Sequence, residues 1–212
     1  MSQRFPLIIT IITILALLFL AMGYWGRWVS HPVAGLNILG VDLPEYVKFV
    51  PEARYGIIPT NRLVFFTMPI ALTLGLILFA SSKMPIPLWL RIMAGFLAIP
   101  VALSMLPPAW TPGLLLTPEF RTQTLILMAL VIAAFLIPLW KILIPDRGRG
   151  VMFILLGTIP ILAIRSFRQL MPAIEKLYNH PLPPGPGFYA LIIGMGLMIL
   201  AGIAYLTKKE QY

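Results

Sequence analysis

Two groups of charged residues in an otherwise apolar chain are of types that could do chemistry. Asp42, Glu45 and Glu52 fall in the stretch 42–55, DLPEYVKFVPEARY, and Arg165 and Arg168 fall in a later polar stretch, 165–187. Carboxylates facing arginines can work as an acid–base pair, hold an anion, or pair with each other. With His180 nearby, the set could serve a membrane enzyme acting on a lipid or isoprenoid. The plainer expectation is a clamp, in which Glu45 or Glu52 pairs with Arg165 or Arg168 and ties two loops into a lid.

Other chemistries lack their residues. There is no cysteine, so thiolate metal sites, disulfides and thiol nucleophiles are excluded. His31 and His180 are each followed directly by proline and read as turn residues. Two loop histidines are too few for a zinc site, and helical bundles that carry haem place histidine inside the helices. No metal site is expected, and the residues name no cofactor. P-loop, GxGxxG, HExxH and GxSxG patterns are absent. The run DRGRG, 146–150, is friendly to phosphate but reads as a tight turn anchored by positive charge.

The elements that must position these residues follow from composition. The chain has 212 residues, of which 59% are hydrophobic and 11% charged. Soluble domains carry about 25% charged residues, so part of this surface must face hydrocarbon. A bilayer core of about 30 Å takes roughly 20 apolar residues as helix. Runs at 6–25, 63–80, 87–106, 124–144, 151–164 and 188–206 predict an all-α integral membrane protein, a bundle of about six helices forming one domain over 1–212. The first run is longer than a secretory h-region and is expected to stay as a signal anchor. The net charge of +9 sits at the ends of apolar runs, where it meets lipid headgroups, so nucleic acid is not an expected partner.

Six spans place both termini on one side. Basic residues divide evenly: Arg4, Lys83, Arg91, Lys141, Arg147, Arg149, Lys208 and Lys209 against Arg27, Lys48, Arg54, Arg62, Arg121, Arg165, Arg168 and Lys176. The first set lies in short loops, where the positive-inside bias acts most strongly. The termini are therefore expected in the cytoplasm and the bundle in a cell membrane, with loops 26–62 and 165–187 together outside. Both loops predict short amphipathic interfacial helices. In the first, Asp42 and Glu45 fit a capping box, and Leu43, Tyr46, Val47 and Val50 form an apolar stripe ended by Pro51. In the second, Phe167, Leu170, Met171, Ile174, Leu177 and Tyr178 form a stripe interrupted by Pro172. A stiff proline-rich connector, HPLPPGPG, follows.

The centres of the spans hold no Asp, Glu, His or Lys, and Arg91 and Lys141 are near enough to span ends to snorkel. That argues against a proton- or cation-coupled carrier. Pro69, Pro100, Pro138 and Pro160 fall inside spans and read as ordinary membrane prolines rather than gating hinges. Ala190, Gly194 and Gly202 form a small-residue packing face for a helix of this chain or of another subunit. Short echoes, PEAR with PEFR and IPLW twice, differ in offset and do not make a duplication. The expected function is a non-catalytic membrane subunit that packs with partner proteins, lipids or pigments. The alternatives are a permease for an apolar or amphipathic substrate, with a cavity lined by Thr67, Thr73, Ser104 and Thr158, and the lipid-active enzyme.

Overall fold

The computed structural model describes residues 4–31, 33, 37–84, 86–108 and 110–207. The topology residues Lys208 and Lys209 lie outside them. Helix α1, Arg4–Trp25, opens the chain and leads into a small hairpin, β1 Arg27–Val29 paired antiparallel with β2 Ile38–Leu39. One-turn helices α2, Leu43–Tyr46, and α3, Pro51–Arg54, follow, flanked by 3-10 turns. Then come α4 Thr67–Ala80, α5 Leu88–Leu103, one-turn α6 Pro112–Leu115, α7 Pro118–Phe135, α8 Ile137–Leu143, α9 Asp146–Thr158, α10 Ile161–Tyr178 and α11 Pro186–Thr207.

Among the described residues, five segments are long and apolar enough to cross a membrane: Phe5–Trp25, Arg62–Ala80, Pro118–Phe135, Asp146–Tyr178 and Pro186–Thr207. The third expected span, α5, is a shorter apolar helix of 16 residues. The fourth begins at Pro118 rather than 124, because Pro118 takes the first helical position, where its missing amide costs nothing. It then breaks at Leu136, and Pro138 restarts the chain as α8. The fifth is longer than 151–164. It starts at Asp146, turns at Pro160, and continues as α10. Pro172 does not interrupt α10, which runs through it to a left-handed Asn179 cap.

Helix α4 is the hub. Its sequence, TMPIALTLGLILFA, is apolar on every side, and it packs against α1, α5, α7 and α9. A helix without a polar face has to be covered all round. The most extensive pairing joins the first and last helices, α1 and α11, and α11 also packs closely on α9. Glycine permits both approaches. A Cβ on Gly194 would lie 2.7 Å from the Leu20 amide of α1, and one on Gly202 would lie 2.6 Å from the Gly150 carbonyl oxygen of α9. Both neighbours of this small-residue face are therefore in the same chain. Ala190 is buried as well.

The hairpin closes one end of the bundle. Trp28 is fully buried, donates from Nε1 to the Gly23 carbonyl at 2.7 Å, and meets Phe167 and Phe188 edge-on at 4.8 and 5.4 Å. The proline-rich connector docks on the same strand, with the Gly185 amide donating to the Trp28 carbonyl at 2.7 Å and Pro184 bridging Val29. Loops 1 and 5 thus form a single lid.

Candidate functional site

Among the described residues, the lid holds two ion-paired groups. In the first, Glu45 accepts from Arg62 Nη1 at 2.9 Å and from Lys48 Nζ at 2.7 Å. Lys48 also reaches Glu119 Oε1 at 2.6 Å, and Arg62 Nη2 donates to the Glu119 carbonyl at 2.7 Å. Both cations lie over the Phe120 ring, at 4.5 and 4.7 Å. The first turn of α7 supplies Glu119 and Phe120, so the start at Pro118 is what brings a carboxylate and an aromatic face to the lid. In the second group Lys176, on α10, pairs with Glu52 of α3 at 3.3 Å. The Glu52 carboxyl is held below the usual carboxylate range, first by a hydrogen bond from its own backbone amide and then by Lys176. Burial and the neighbouring Tyr178 hydroxyl push the Tyr46 phenol up.

These contacts correct the expected clamp. Arg165 and Arg168 are exposed and pair with neither Glu45 nor Glu52. Helix α10 buries Ala163, Ser166, Phe167, Leu170, Ala173 and Ile174, and helical geometry turns residues 165 and 168 to the opposite side. Loops 1 and 5 are tied instead through Glu52 and Lys176. Asp42 does not cap α2 with its side chain. It sits in helical backbone (φ −85°, ψ −18°) at the end of a 3-10 turn, whereas a capping side chain needs extended backbone. Nor does the apolar face of 42–50 rest in lipid: Leu43, Val47 and Val50 are buried in the protein core.

A cavity of about 800 Å³ opens beside the first group, walled by Lys48, Arg54, Arg62, Asn61, Glu119 and Thr122 among others. Arg54 is exposed at its edge; Lys48 and Arg62 are offset by Glu45 and Glu119, which leaves Arg54 as the surplus positive charge of the wall. Its described lining holds no Ser, His or Cys. A smaller cavity of about 100 Å³ borders Asp42, Glu45 and Gln123. Gln123 is buried and donates from Nε2 to the Met105 carbonyl, while its Oε1 has no partner.

The histidines are held locally. His31 Nδ1 accepts from the Val33 amide at 3.1 Å, and the His31 amide donates to Asn37 Oδ1 at 2.9 Å. His180 Nδ1 lies against the Pro181 carbonyl. Among the described residues, no three metal-ligating side chains gather. The four hydroxyl residues that would line a permease cavity do not share one space. Thr67 and Thr73 are buried in packed helix, Thr67 bonds to Val64, Ser104 bonds to Tyr24, and Thr158 faces outward.

Sequence reasoning missed the opposite end of the bundle. The residues 146–150 are the first turn of α9 rather than a loop, and Arg149 is fully buried. Its Nη2 donates to the Trp140 and Lys141 carbonyls at 3.2 and 3.4 Å, satisfying the C-terminal end of α8, while Nε and Nη1 have no partner. Arg91 likewise turns inward to the Met84 carbonyl rather than snorkelling. In both cases exposed carbonyls at a helix end or turn draw in the guanidinium. A basic residue just past a proline-broken helix was the available signal. The sequence matches no family model, and no curated protein or solved structure matches it.

Proposed function

We propose that the chain is a non-catalytic multi-pass membrane subunit, and that an acidic segment of a partner protein with apolar flanks docks on its lid. The observation that carries this reading is the surface of residues 49–57. Phe49, Tyr55 and Ile57 are 74%, 76% and 72% exposed outside the apolar spans, on either side of Arg54 at the edge of the cationic cavity. Aromatic residues and arginine are enriched in protein interfaces, and large exposed apolar patches mark contact sites. Glu119 then serves as an internal counter-ion that an incoming carboxylate can replace.

A binding role fits this site better than catalysis. Glu45 and Glu119 are both engaged by cations, and Glu52 is shifted toward its charged form, away from the role of proton donor. The packed surroundings of Thr73 weigh against a transport path. The threading we adopt has six spans, with both termini on the cytoplasmic side of a cell membrane and the lid outside. Support for counting α5 comes from Tyr24, at the lid end of α1, whose hydroxyl lies 3.0 Å from Ser104 Oγ just after α5. Helix α5 would therefore run the depth of the bundle, about 24 Å at 1.5 Å per residue.

The test begins with extraction of the native chain in mild detergent and mass measurement of the intact particle. A heteromeric mass is expected, and crosslinking from Tyr55→Cys, the sole thiol, should join the same partner. The double substitution Phe49→Ser with Arg54→Glu should release it while the chain stays folded. A particle containing only this chain, or a partner indifferent to both substitutions, sinks the proposal.

A further inference from the structure

We infer that the end of the bundle opposite the lid holds one anionic phospholipid, with an acyl chain in a groove along α8 and its phosphate at the helix end where Lys141 is exposed and Arg149 lies beneath it. The groove is apolar, about 250 Å³, and is walled by Leu136, Leu139, Trp140, Leu143 and Ile144. It exists because the chain breaks at Leu136, which swings α8 off the line of α7. Trp140 joins groove to charge: its side chain forms a wall and its carbonyl accepts from Arg149.

Two further observations select the occupant. Arg149 is fully buried, yet its Nε and Nη1 donate to nothing, and the nearby Arg91 Nε is also buried without a partner. A buried guanidinium with unused donors lacks an acceptor that water would otherwise provide, and oxygens of a phosphate fit its planar fork. The charge of this end is also one-sided, with Lys83, Arg91, Lys141, Arg147 and Arg149 against Asp146 over residues 81–150 outside α7. Basic pockets between membrane helices attract anionic headgroups. An apolar groove whose wall residue Trp140 accepts a hydrogen bond from this cluster matches an amphiphile rather than a free anion.

The protein is delipidated in detergent and offered phosphatidylglycerol or phosphatidylcholine of the same acyl length, and bound lipid is counted by native mass spectrometry. One phosphatidylglycerol should be retained, with a preference on the order of tenfold. Lys141→Gln, at an exposed position, should cut that preference several-fold. Leu139→Trp, which fills the groove and leaves charge untouched, should reduce retention of the anionic lipid by a similar factor. Arg149→Gln should abolish the preference; if it does not fold, the other two variants carry the test. Equal retention of both lipids overturns the inference. So does full retention by Leu139→Trp, which would mean diffuse attraction to a basic surface, or an equal rise in thermal midpoint from inorganic phosphate alone.

Discussion

Trp28 shows how much of the lid rests on one side chain. It is fully buried, hydrogen-bonded to the end of α1, and wedged between Phe167 of α10 and Phe188 of α11. Trp28→Phe removes the Nε1 bond and part of the buried ring and should cost about 1–3 kcal/mol. Trp28→Ala also leaves a cavity and should cost about 3–5 kcal/mol, both read from denaturant unfolding in detergent. Glu52 behaves differently, since its pair with Lys176 is exposed to solvent. Its carboxyl is depressed, so the tether contributes above the unfolded-state pKa and is lost as pH falls through the folded one. Hydrogen-exchange protection over residues 50–58, taken relative to the intrinsic rate at each pH, should stay constant from neutral pH into the ordinary carboxylate range and fall only below it, near pH 4. Glu52→Gln should remove that step. Glu52 was legible in the sequence as a link between the two loops, but its partner was not, and Glu45 pairs within its own loop. Choosing Arg62 and Lys176 over Arg165 and Arg168 requires the rotation of α10 and the place of α7, which spacing along the chain does not contain. Arg149 escaped notice for a related reason: hydropathy registers a charge near a span end but not whether it turns inward.

The helices divide by what set their limits. The first, second and last spans were legible because unbroken apolar length defines them, and α1, Arg62–Ala80 and α11 follow those runs closely. The middle spans are defined by proline. Pro118 starts α7 early, drawing Glu119, Arg121 and Gln123 into helix, while Pro138 and Pro160 break runs that hydropathy treats as continuous. Glycine then decides which helices touch. Gly202→Ala places a methyl against the Gly150 carbonyl and should cost about 1–3 kcal/mol as overpacking. Gly196→Ala, on the same helix with open space around its Cβ position, should be neutral or slightly stabilising. Thermal unfolding of the two variants side by side separates packing from helix propensity.

The whole molecule is a bundle with unlike ends, one closed by an ion-paired lid and the other rich in basic residues. Because the chain lacks cysteine, single thiols report the threading cleanly. Tyr55→Cys should react with an impermeant maleimide on intact cells, and Lys83→Cys only after the membrane is opened. The reverse pattern would invert the orientation. One further consequence follows from the pairing of α1 with α11. Gly194 seats against Leu20, a residue made roughly 170 positions earlier, and synthesis at ~5–20 residues per second puts about 10–35 s between them. During that interval the first helix lacks its principal neighbour, and the glycine-lined seat for it has not been made. A nascent chain arrested before α11 should therefore be held by insertion factors and degraded on release, while the full-length chain escapes both.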